Sequence, residues 1–207
     1  MATQTYAILV QDIKDLTENN SSDFATQADE FIETTEIRLS REIKNCPELF
    51  KHQTSTLTIS DPFITKPSDL ISMISFQVLS SAAARTGLEY RDVSFINEYW
   101  PTRTSTGTPK YYADWDDDYL IVAPTPSAAL TIEMNYRKRF DAISSGSTTS
   151  WLTANAYDAL LYGSLIEAAI YDKNPQMMQM YEKRYQEALA TVNAELANRR
   201  TDQSIQG

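Results

Sequence analysis

Apolar residues recur at every third or fourth position towards both ends of the chain, and partly at every second position in its middle. The clearest helical stretch runs from Ser150 to Asn198. Tyr157, Leu160, Leu161, Leu165, Ile166 and Ala169 make one stripe there, and Tyr181, Tyr185, Leu189, Val192 and Leu196 make a second. Spacing of this kind lines one face of a helix. It predicts two antiparallel helices, from about Trp151 to Tyr171 and from Asn174-Pro175 to Asn198. Asn174 is suited to cap the second, and Pro175 suits its first position, where the missing N–H would be unpaired anyway. Ala154, Ala156, Gly163, Ser164 and Ala168 are small enough to admit another backbone, either from the same bundle or from a neighbouring copy.

At the other end, Tyr6, Leu9, Ile13 and Leu16 predict a helix over Thr5–Thr17 with a narrow apolar face. Asn19-Asn20-Ser21-Ser22 breaks it. A second helix is expected from Asp23 to Lys44, with Phe24, Ala28, Phe31, Thr35 and Leu39 on one side. Its acids come early and its bases late, as the helix dipole prefers. Pro47 ends it.

The middle of the chain reads differently. Ser55–Ile59 and Leu130–Tyr136 alternate as strands do, and Tyr119–Val122 reads as a short buried strand ending at Pro124-Thr125-Pro126. Leu70–Leu79 fits one strand or two. Pro62 and Pro67 bracket an expected turn. Residues 82–87 fit a turn or a short helix. Asp92 is placed to cap a short helix to Trp100, and Thr102–Thr108 is a polar loop. Helices, then strands, then helices indicate an α+β fold. The expected architecture is a helical bundle of N- and C-terminal helices with an inserted antiparallel β domain. Its segments are residues 1–46, 47–145 and 146–198, followed by a flexible tail over 199–207.

Charge narrows the classes of function. Lys and Arg number 18 against 28 Asp and Glu, a net charge of −10. A general nucleic-acid binder needs a basic face to replace counterions, so that class is disfavoured. Cys46 is the sole cysteine, which rules out a disulfide within the chain. Met1-Ala2-Thr3-Gln4 has neither a basic region nor an apolar core, and no apolar run reaches the ~20 residues of a membrane span. A protein made in the cytoplasm, without membrane contact, is expected.

Candidate chemistry is sparse. Asp116-Asp117-Asp118 lacks the glycine and distal glutamate of a hard-cation loop and reads as a turn. His52 is the only histidine, so neither a zinc site nor a nucleophile–base pair has enough members. No phosphate-binding glycine loop is present. No catalytic residue, metal ligand or cofactor is therefore expected. Tyr90, Phe95, Tyr99, Trp100, Tyr111, Tyr112, Trp115 and Tyr119 form a dense aromatic group suited to a small core with tyrosines spare for an interface. Two rival readings are a monomeric ligand-binding module built on these aromatics and a hydrolase using Asp116 and Asp118. Arg137-Lys138-Arg139 and Arg199-Arg200 are basic spots on an acidic chain.

Gly107-Thr108-Pro109-Lys110-Tyr111-Tyr112-Ala113, the Leu120–Pro126 strand end, Leu130–Tyr136, Ser150-Trp151-Leu152, Tyr157–Gly163 and Arg184-Tyr185 follow one another in an order that resembles the head-to-tail adaptor proteins of tailed bacteriophages. The resemblance covers about Asp92 to Asn198. It implies a virion protein at the head–tail interface, in a ring, usually of twelve copies. The ring would dock below the portal protein and form a tier of a channel through which DNA passes without specific binding. It further implies that the C-terminal tail, including Arg199, Arg200, Ser204 and Ile205, meets the portal. The loop side, including Arg103, Thr106, Lys110 and Trp115, would face a neighbouring copy or a downstream tail or nozzle protein.

Overall fold

The computed structural model describes residues 4–79 and 84–201, the last two by their backbone. In chain order the elements are α1 (Tyr6–Thr17), α2 (Ser22–Glu42), β1 (Phe50–Leu57), β2 (Phe63–Thr65), β3 (Leu70–Leu79), β4 (Arg85–Gly87), β5 (Glu89–Tyr90), α3 (Val93–Tyr99), β6 (Thr106–Gly107), β7 (Tyr111–Asp114), β8 (Tyr119–Ala123), β9 (Thr125–Pro126), β10 (Leu130–Lys138), α4 (Trp151–Asn155), α5 (Tyr157–Tyr171) and α6 (Pro175–Thr201). The fold is α+β. The chain divides into two compact units, one of Met1–Leu49 with Arg139–Gly207 and one of Phe50–Lys138.

In the helical unit, local chemistry sets the ends of the helices. Thr5 Oγ1 accepts from Ile8 N at 3.4 Å, Ser21 Oγ from Phe24 N at 3.3 Å and Asn174 Oδ1 from Met177 N at 3.2 Å. Each bond satisfies an amide that has no partner within its helix. Leu9 and Ile13 of α1, Phe24, Phe31, Ile32 and Leu39 of α2, Leu160 and Leu165 of α5, and Tyr185 and Leu189 of α6 share one buried core. The single helix expected from Trp151 to Tyr171 is two helices. Ala156 leaves helical geometry (φ −143°, ψ 39°) and divides α4 from α5. It is wholly buried there, where a larger side chain would have to displace the core. The last helix runs three residues beyond Asn198, so Arg199 and Arg200 are helical.

The second unit holds a sheet ordered β1-β10-β3-β4, a sheet ordered β2-β8-β7-β5 and a short β6-β9 pair. Most pairings are antiparallel, while β5–β7 and β6–β9 are parallel. Tyr112, Leu120 and Val122 share a core with Phe76, Val78, Ile132, Met134 and Tyr136 of the first sheet. Ala113, Ile121 and Ala123 point the other way and cluster with Ile96 of α3. Burial on both faces explains why residues 120–123 read as a continuous apolar run.

Several elements differ from expectation. Leu70–Leu79 is one strand, and its alternation is imperfect because the register with β10 shifts at Asn135/Tyr136. The first strand ends at Leu57, leaving Ile59 exposed. The segment between Pro62 and Pro67 carries β2, whose three residues pair with β8. The polar loop contains β6, and β7 adds a strand that alternation had not marked. Of residues 82–87, Arg85–Gly87 form β4 and 82–83 lie outside the described residues.

Candidate interaction surfaces

Arg103 and Trp115, twelve residues apart, come together on the second unit. The Arg103 guanidinium lies 4.6 Å from the Trp115 ring centroid and 5.6 Å from that of Phe63, and its Nη2 donates to Asn97 Oδ1 at 3.3 Å. The segment that presents it is tied down twice. Thr125 Oγ1 donates to Arg103 O at 2.7 Å, and Trp100 Nε1 donates to Ser105 O at 2.9 Å. Thr106 is held alongside by its pairing with Thr125. Lys110 is tied to β8 through backbone, its N–H donating to Ala123 O at 2.8 Å. Its side chain is exposed.

Phe63 packs edge-on against Trp115, with centroids 5.4 Å apart, and against Tyr119 at 6.5 Å. These rings, with Asp61 and Asp116, line an open recess of about 380 Å³. Asp116 Oδ1 accepts from Asp118 N at 2.9 Å and from Tyr119 N at 2.7 Å, so the acidic run shapes a tight turn. Lys66 pairs with Asp114 at 2.8 Å and donates to Asp116 O at 2.6 Å. The prolines at 62 and 67 predict a turn over Phe63, and no sequence pattern singles out Asp61. The available signal was the run Phe63-Ile64-Thr65 between two prolines.

The helical unit carries a charged staple. Arg38 Nη2 donates to Glu182 Oε1 at 2.9 Å and its Nε to Glu42 Oε1 at 3.0 Å, while the guanidinium stacks 4.1 Å from the Tyr185 centroid. Tyr185 donates to Glu42 Oε2 at 2.7 Å. Burial and the Glu42 carboxylate push the Tyr185 phenol well above its usual range, so it stays a donor. Gly163 faces the same seam, where a Cβ would lie 2.3 Å from Thr35 Cγ2 and 3.2 Å from Tyr185 Cε2. The small-residue helix thus packs within its own bundle. A second polar anchor is Glu36, buried in the same unit, whose Oε1 accepts from Ile143 N at 3.1 Å; Ser40 Oγ accepts from Phe140 N at 3.2 Å. Burial pushes the Glu36 carboxyl up to about 7, against the lowering effect of the Ile143 N–H.

Arg199 is exposed on α6. Ser204 and Ile205 lie outside the described residues. His52 is exposed, with Nε2 3.9 Å from Glu133 Oε1, and Glu133 is itself held by Arg85 at 2.7 Å. Cys46 is buried, and burial pushes its thiol up. Among the described residues no group of three or more His, Cys, Asp or Glu side chains is arranged to hold a metal ion.

A family model described as SU10 adaptor protein matches residues 4–206. The chain belongs to the SU10 adaptor protein family. It is a phage adaptor protein, a structural class that works by contact with other head and tail proteins. The family match takes in the N-terminal helices, which lie outside the stretch that carried the resemblance in sequence. No curated protein matches the chain. Among the described residues of this SU10 adaptor no helix is long and apolar enough to cross a membrane.

Proposed function

We propose that this SU10 adaptor is a non-enzymatic head-to-tail connector. It assembles as a ring, of about twelve copies by the resemblance noted above, below the portal protein and forms a tier of the DNA exit channel in the virion. The observation that carries this reading is the family match over residues 4–206. The acidic balance of the chain supports a lumen that DNA passes without sticking, because like charge repels the phosphate backbone. The end of α6 and residues 199–207, with Arg199, Arg200, Ser204 and Ile205, are the proposed portal contact. Arg103, Thr106, Lys110 and Trp115 are the proposed contact with a neighbouring copy or a tail protein.

Mixing the purified protein with portal rings and imaging by electron microscopy tests this. The expected result is an added tier of density. A stable monomer that adds no tier would overturn the reading. Deleting residues 199–207 is expected to abolish docking and leave thermal unfolding unchanged, because Leu196 is the last core residue among the described residues and Arg199 is exposed. Unchanged docking would remove this segment from the interface.

A further inference from the structure

The recess lined by Phe63, Trp115, Tyr119, Asp61 and Asp116 has the composition of a cation receptor. Trp115 and Tyr119 are 37% and 42% exposed although Phe63 packs against both, so part of each ring faces solvent. Aromatic faces attract a guanidinium through the ring quadrupole, and Arg103 already lies over Trp115 and Phe63. Asp61 Oδ1 accepts from Phe63 N at 3.0 Å and Asp116 Oδ1 accepts from two amides. Both carboxylates are thereby held at the rim of the recess. An anionic or nucleic-acid ligand would meet these two charges unfavourably. An uncharged apolar side chain would offer neither carboxylate an opposite charge.

We propose that this recess receives an arginine side chain from a neighbouring protein chain, its guanidinium lying against the rings and pairing with Asp61 and Asp116. The inference rests on the adaptor reading only for the source of that arginine; the receptor chemistry is a property of this chain alone.

The test is a titration of the full-length protein, at low salt, with a short blocked peptide, Gly-Arg-Gly. A second peptide replaces arginine by citrulline, which keeps the shape and loses the charge. The readout is the Trp115 indole N–H signal in NMR, assigned with Trp115→Phe. A saturable shift with the arginine peptide is expected, at least about tenfold weaker with citrulline. The double variant Asp61→Asn, Asp116→Asn keeps the amide-accepting oxygens and removes the charges. It should weaken binding to a similar extent while its remaining spectrum stays in place. No saturable shift, equal binding of the two peptides, or full binding by the double variant would each overturn the proposal. Peptide binding by a protein that adds no tier to portal rings would uphold the receptor and sink only the adaptor placement.

Discussion

Glu36 is a carboxyl group placed where burial favours its neutral form. Its carboxylate accepts from the Ile143 amide, a bond that a protonated acid can still satisfy through its carbonyl oxygen. The folded state therefore holds a proton that the unfolded chain releases at a lower pH. With the folded value at about 7 and the ordinary value at 4.5, the native state binds the extra proton between these limits. The contribution of this group to stability is fully present below 4.5 and is lost as pH rises through about 7. Glu36→Gln mimics the neutral acid and keeps an oxygen for Ile143. The variant's melting temperature relative to the natural protein should thus rise from pH 5 to about pH 7 and level off above it. A difference independent of pH would show that Glu36 is not the titrating group.

At the scale of elements, the packing of α2, α5 and α6 turns on the missing side chain of Gly163. A methyl group there would overlap Thr35 on α2 and crowd the Tyr185 ring on α6. Both neighbours are tethered, Thr35 by its bond to Phe31 O at 2.8 Å and Tyr185 by Glu42 and Arg38. Neither gives way easily, so the helices must move apart. Gly163→Ala should cost about 1–3 kcal/mol in urea unfolding, even though alanine is the better helix former by about 1 kcal/mol. A stabilised variant would mean that this seam is loose.

These helices were legible because amphipathic stripes and Ser, Thr or Asn caps act locally. Phe24, Ala28, Phe31, Thr35 and Leu39 lie buried on one side of α2, as their spacing predicts. The division at Ala156 was hidden, since a small residue that suits a helix equally suits a buried bend. In the sheets, β7 and β2 escaped notice for different reasons. The alternation of β7 is masked by burial on two faces, and β2 is three residues long between prolines. The recess shared the obscurity of β2: Trp115 was marked, but its partner Phe63 lies 52 residues away. Only the pairing of β2 with β8 brings the two together.

For the whole molecule the governing quantity is the charge of −10 on each copy at pH 7. Bringing copies together in the proposed ring concentrates like charge, and this repulsion acts over the Debye length, about 10 Å at 0.1 M salt and about 3 Å at 1 M. Contacts built from apolar side chains are weakened little by salt, whereas pairing between opposite charges is screened. Self-association of the free protein should therefore strengthen as salt rises from 0.05 to 0.5 M, read as an increasing weight-average sedimentation coefficient at fixed protein concentration. The same change should weaken capture of the arginine peptide, because that contact joins opposite charges. The two responses run in opposite directions and can be measured on one sample. Self-association that weakens with salt would mean that neighbouring copies are held by complementary charges and that repulsion between like charges does not govern their association.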